Sequence, residues 1–191
     1  MYDLIVEDAT VVGSNGRAVA DVCVEDGRIV YVGARPAGSA RKKTSAIGKF
    51  LIPGLIDTHV HFRSPGAHHK EDWASGSRAA VSGGVTTVCD MPNTDPPTLN
   101  REAWEQKRGL AADSSRANFG IWVGAAATNL AEADALMQQG DACGIKVFMG
   151  ASTGPLLVDD DTLVRVFQET KGLIGVHAED EALLKIGRAH V

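Results

Sequence analysis

Five apolar runs of strand length, at 55–62, 85–91, 119–126, 145–150 and 173–178, alternate along this chain with segments of helical character. Runs that are apolar throughout, rather than at every second position, suit strands covered on both faces. Strand–helix alternation of that kind builds a parallel sheet flanked by helices, an α/β fold. The intervening segments carry their own start and stop signals. Segment 71–81 runs into Gly83-Gly84, a helix stop. Asn100 is placed to cap a helix over 101–112, and Asn129 one over 130–139. Asp159, Asp160 and Asp161 precede the periodic Leu163, Val164, Val166 and Phe167, where acids suit a helix N-terminus. The count is five βα units, the last cut short.

An eight-stranded barrel takes about 250 residues, or roughly 30 per unit. About 135 residues follow the N-terminal segment here, room for about four and a half units. An open sheet and a piece of a barrel both fit that length. The first fifty or so residues are different. Leu4-Ile5-Val6-Glu7, Thr10-Val11-Val12 and the runs 19–24 and 28–32 are short and β-branched, with Asn15-Gly16 and Asp26-Gly27 between them as turn signals. They predict a small antiparallel sheet that ends in the basic stretch Arg41-Lys42-Lys43-Thr44.

A hydrophobic share of 44% beside 23% charged residues is ordinary for a globular protein. The net charge of −5 offers no basic surface for nucleic acid. No apolar run reaches the roughly 18–20 residues of a membrane span, and Met1-Tyr2-Asp3-Leu4 lacks the pattern of a secretory signal. Cys23, Cys89 and Cys143 are odd in number and widely spaced, which suits reduced thiols in the cytoplasm.

Three strands carry residues that do not belong in an apolar run. His59 and His61 are spaced i, i+2, so on a strand both imidazoles leave the same face and can reach one metal ion. Read alone, the pair fits a satisfied polar strand end equally well. Lys146 lies inside Ile145-Lys146-Val147-Phe148-Met149, where a buried ammonium costs several kcal/mol unless it is paired or chemically changed. A lysine that snorkels to solvent is the alternative. His177 stands near the C-terminal end of the next strand, where a parallel barrel builds its active site, although core packing is open to it as well. Placement on successive strands favours convergence.

The runs Asp57-Thr58-His59-Val60-His61-Phe62-Arg63-Ser64-Pro65-Gly66, His69-Lys70-Glu71-Asp72-Trp73 and Gly83-Gly84-Val85-Thr86-Thr87-Val88-Cys89-Asp90-Met91-Pro92-Asn93-Thr94 resemble the dihydroorotases of the amidohydrolase superfamily. The resemblance covers essentially the whole chain. It implies a metal-dependent TIM-type (β/α)8 barrel, truncated after about five strands, with the N-terminal β segment belonging to a small sandwich domain. The division it suggests is 1–52 for that segment, 53–185 for the first five βα units, and 186–191 for a non-native tail. Ile186-Gly187-Arg188-Ala189-His190-Val191 is unlike a family helix and matches one reading frame of a common sequencing-library adapter.

Carried over residue by residue, the resemblance makes His59 and His61 ligands of one metal and His177 a ligand of a second. Lys146 matches the lysine carboxylated by carbon dioxide, whose carbamate bridges two zinc ions. Arg63 and Asn93 match residues that grip the substrate carboxylate, for which a guanidinium fork is well shaped. The implied reaction is reversible hydrolysis of dihydroorotate to N-carbamoyl-aspartate in pyrimidine biosynthesis, by hydroxide generated between the metals. The partner implied is that small molecule, in a cytoplasmic homo-oligomer that binds neither nucleic acid nor membrane. A further metal-binding histidine and the acid/base aspartate are expected beyond the chain end. Allantoinases and hydantoinases share the metal pattern and are the competing reading. A non-catalytic relative that serves as an assembly partner is the second.

Overall fold

A computed structural model of the chain describes residues 1–150, 156–180 and 182–184. The expected tail 186–191 lies outside the described residues. The chain divides into two compact units, Met1–Gly54 and Leu55–Val191.

The first unit is a sheet of β1 (Tyr2–Gly13), β2 (Gly16–Glu25), β3 (Arg28–Gly33), β4 (Ala40–Ser45) and β5 (Phe50–Leu51). The two short runs at its start are one strand, bent by a register shift between Val6 and Ala9. Asp8 takes a left-handed φ of 57° at that bend, and its N–H donates to Asp21 Oδ1 at 2.8 Å. Asp26 and Gly27, at φ 50° and 70°, form the expected tight turn between β2 and β3. Gly16 instead pairs with Gly13 as the first residue of β2, so Ser14 and Asn15 make the other turn. The sheet is mixed rather than antiparallel: β4 and β5 both run parallel to β1. The basic stretch expected to end the sheet is β4 itself. Its charges meet acids on β1, with Lys43 Nζ 2.7 Å from Glu7 and Arg41 3.4 Å from Asp3. A charged run of this kind is how an edge strand stays soluble. Ile5, Ala9, Ala20, Val22, Cys23 and Ala46 are its buried apolar residues.

The second unit follows the predicted alternation. Its elements are β6 (Leu55–Val60), α1 (Trp73–Ser82), β7 (Val85–Asp90), α2 (Arg101–Ser114), β8 (Asn118–Gly124), α3 (Leu130–Gln138), β9 (Gly144–Phe148), α4 (Asp160–Glu169) and β10 (Ile174–His177). The strands are all parallel, in the order β10-β9-β8-β7-β6. Every residue of β9 is buried, whereas the outer strand β6 leaves Leu55 and Ile56 exposed. Helix α1 starts two residues later than predicted, because Asp72 is its cap and accepts the Ser75 N–H at 2.7 Å. Asn100 caps α2 as expected, taking the Ala103 N–H at 2.9 Å. Asn129 precedes α3 but makes no side-chain cap. Its side chain turns back instead: Oδ1 accepts from Ala126 N–H, and Nδ2 donates to Leu99 O and Gly124 O.

The main core of this unit gathers Ile121 and Val123 of β8, Ile145 and Val147 of β9, and Trp104, Ala133, Leu136 and Val166 from the helices. A second cluster joins Phe62, Trp73, Val88 and Ala111, with the Phe62 and Trp73 rings edge to face at 5.1 Å. Trp122 of β8 shows how the sheet curves. Its Nε1 donates to Thr58 O in β6 at 3.0 Å, while its ring lies against Gly144 of β9 and Gly175 of β10. On a flat sheet β6 and β10 would each lie two strand spacings, about 10 Å, from β8. One side chain reaches both only across the concave face of a half-barrel. No described helix is long and apolar enough to cross a membrane.

Candidate active site

Parallel strands end on the same side of their sheet, and loops at that side build the sites of such folds. His59 lies in β6, with His61 and Arg63 just beyond its end. Asn93 follows β7, Lys146 sits in β9, and His177 is the last residue of β10. Chain direction alone therefore carries all six to one edge.

His59 and His61 have ring centroids 5.1 Å apart. His61 Nδ1 lies 2.8 Å from Asn93 Oδ1. With that oxygen accepting, the proton sits on Nδ1 and the Nε2 lone pair faces outward as a ligand. Burial lowers the pKa of both histidines, which keeps them in the neutral form a metal requires. The charges of Lys146 and His177 lower His59 further, so these three groups share one electrostatic field. Arg63 does the same to His61.

Lys146 is only 4% exposed, and burial pushes its amine below the usual lysine range. Its Nζ stands 5.4 Å from the Phe148 ring centroid. Among the described residues it has no carboxylate partner. The snorkelling alternative is therefore not what this side chain adopts. His177 Nε2 meets Glu179 Oε1 at 3.0 Å, a partner the sequence reading did not single out. Arg63 holds a left-handed φ of 56° and has no carboxylate partner among the described residues. Asn93 is 8% exposed, and at least part of its amide serves His61 rather than standing open for substrate.

No group of three or more His, Cys, Asp or Glu side chains among the described residues is close enough together to hold a metal unaided. Two neutral imidazoles beside a buried amine without a counterion among the described residues nevertheless fit a metal group, provided the amine becomes an anionic oxygen donor. Lys146 is thus the residue on which the donor set turns.

Two buried charges under this edge escaped the sequence reading. Asp90, the last residue of β7, and Lys107 of α2 are both fully buried, with Nζ 2.5 Å from Oδ2. A signal was available for the lysine. Ala103, Trp104, Lys107 and Ala111 fall at helical spacing, and all four are buried.

Residues 50–181 match the amidohydrolase family. The chain is 36% identical to a dihydroorotase of Methanosarcina acetivorans over 96% of its own length and 40% of that protein. It is 40% identical to an allantoinase of Rubrobacter xylanophilus, covering 95% of this chain and 41% of the relative. An L-hydantoinase structure from Arthrobacter aurescens superposes with a TM-score of 0.90 at 31% identity, over all of this chain and 44% of the other. The chain thus spans about two fifths of the length of the relatives it matches.

Proposed function

The chain belongs to the amidohydrolase family, and from that premise we propose that it forms the N-terminal part of a zinc-dependent dihydroorotase. The reaction is reversible opening of the dihydroorotate ring to N-carbamoyl-aspartate, a step of pyrimidine biosynthesis. Members of this family are generally metal-dependent. Bound zinc would supply an activated water and polarise the ring amide carbonyl.

The residues of the chain do the rest. His59 and His61 would hold one metal through neutral imidazoles, and His177 a second. The Lys146 amine, whose pKa burial lowers, would add its nitrogen lone pair to the carbon of carbon dioxide. Release of one proton would leave a carbamate, and Lys146 would then offer anionic oxygen donors to the metal. That would convert a buried amine with no counter-carboxylate among the described residues into a ligand. This single observation at Lys146 carries the metal-hydrolase reading. Arg63 would take the ring carboxylate through its planar fork.

Identity does not separate the candidate substrates, since the allantoinase matches at 40% and the dihydroorotase at 36%. The argument for a carboxylate-bearing substrate is Arg63, a guanidinium at the strand edge with no carboxylate partner among the described residues. The test is turnover of dihydroorotate, allantoin and hydantoin by a protein of the relatives' full length, together with its zinc content. Dihydroorotate is expected to be preferred, and Arg63→Gln to lower its kcat/KM roughly 10–100-fold through the lost charge-assisted hydrogen bonds. Preference for allantoin, with Arg63→Gln neutral, would select the second reading. A metal-free protein inert on all three would leave only the assembly role.

A further inference from the structure

The pair Asp90–Lys107 has no part in the chemistry above, yet its atoms reach the loops that carry it. A buried ion pair is weak evidence for stability, because apolar residues of similar volume often do as well. What it holds in place is the better question. Asp90 Oδ1 accepts the Phe62 N–H at 2.7 Å, and Phe62 is the residue between His61 and Arg63. Among the described residues Oδ2 has no polar partner other than the Lys107 ammonium. That ammonium also donates to Met91 O at 2.6 Å. Met91 N–H in turn donates to Val60 O at 3.0 Å, and Asn93 closes the circuit on His61 Nδ1 at 2.8 Å. Two loops are tied at one buried point, and between them they present His61, Arg63 and Asn93. Arg63 needs such support, because a non-glycine residue keeps φ 56° only where its neighbours impose it.

We propose that Asp90 and Lys107 are a positioning pair that fixes residues 61–63 on the buried face of α2, so that His61 and Arg63 face the site together. Neither residue touches substrate. The proposal rests on the reading of His61 as a metal ligand, and the experiment separates the two. Lys107→Met, Asp90→Asn and the double variant are compared with the unmutated chain in two ways. Cobalt(II) titration reads affinity and the d–d absorption bands. Hydrogen exchange resolved to single amides reads the Phe62 N–H. Lys107→Met is expected to bind cobalt at least tenfold more weakly with altered bands. It should also exchange the Phe62 amide at least tenfold faster, while amides of β8 and β9 keep their protection. In the double variant the Asn oxygen can still accept from Phe62, but the tie to Lys107 and α2 is gone, so Phe62 protection stays lowered. If Lys107→Met does not fold, Asp90→Asn is read by the same two measurements. Unchanged Phe62 exchange in a folded variant overturns the proposal, as does protection lost evenly across the sheet. If the unmutated chain takes up no cobalt, Phe62 exchange alone decides the positioning role.

Discussion

Gly144 and Gly175 contribute space rather than conformational freedom. Both lie in strands, and both lie against the Trp122 ring. A Cβ at Gly144 would press into that ring and stand 3.0 Å from Leu173 O, so neither neighbour yields freely. Gly144→Ala is therefore expected to destabilise the second unit by about 1–3 kcal/mol, as overpacking does, and urea unfolding measures it. Cys143 makes a different statement at the same scale. Burial, and then the adjacent Cys89, push its thiol up to about 12. In the unfolded chain a thiol ionises near 8.5. Between those values the folded state keeps a proton that the unfolded state has lost, so stability falls as pH rises. Urea midpoints taken at pH 8 and pH 10.5 should drop for the parent chain, and drop less for Cys143→Ala.

Helix caps show what an element's sequence reveals and what it withholds. Asn100 and Asn129 each stand one residue before a helix, so sequence treats them alike. Of the two only Asn100 caps, taking the Ala103 N–H. Asn129 lies between two carbonyls, Leu99 O and Gly124 O, which come from segments distant in the chain or in another element. An amide N–H₂ can satisfy both at once, and it abandons the cap to do so. Substitution by Asp separates the roles, since a carboxylate accepts well at a cap but cannot donate. Asn100→Asp is expected to leave stability within about 0.5 kcal/mol. Asn129→Asp should cost roughly 2 kcal/mol or more, because two carbonyls lose their donor and face a negative charge. Thermal unfolding of the two variants side by side checks this. Equal behaviour would mean that the Asn129 contacts carry no weight. Lys107 is the same lesson for an ion pair. Periodicity places it on the inward face of α2, yet nothing in α2 says that Asp90, 17 positions earlier, waits there.

For the molecule as a whole, the placement of most candidate site residues was legible because parallel strands share a direction. His59, Lys146 and His177 lie on three strands, and their common sheet edge follows from the strand pattern without any knowledge of loops. Hidden from sequence were the lateral partners, Asn93 on His61 and Glu179 on His177, since side-chain contacts across loops leave no periodic trace. The mixed pairing of β4 was hidden for a related reason: a basic run reads as a boundary until the acids opposite it are known. The half-barrel also states what this chain can do alone. Among the described residues its parallel sheet has five strands, and β6 and β10 each have one neighbour. Barrel enzymes draw catalytic residues from several strands around a closed ring. Here the histidines and Lys146 line one arc of that ring, and the chain spans about two fifths of its relatives. The 191-residue chain supplied with zinc is expected to hydrolyse dihydroorotate at least a thousandfold more slowly than a protein of the relatives' full length. Comparable turnover by the two would show that five strands and these donors suffice, and that the rest of the ring is not needed for the chemistry.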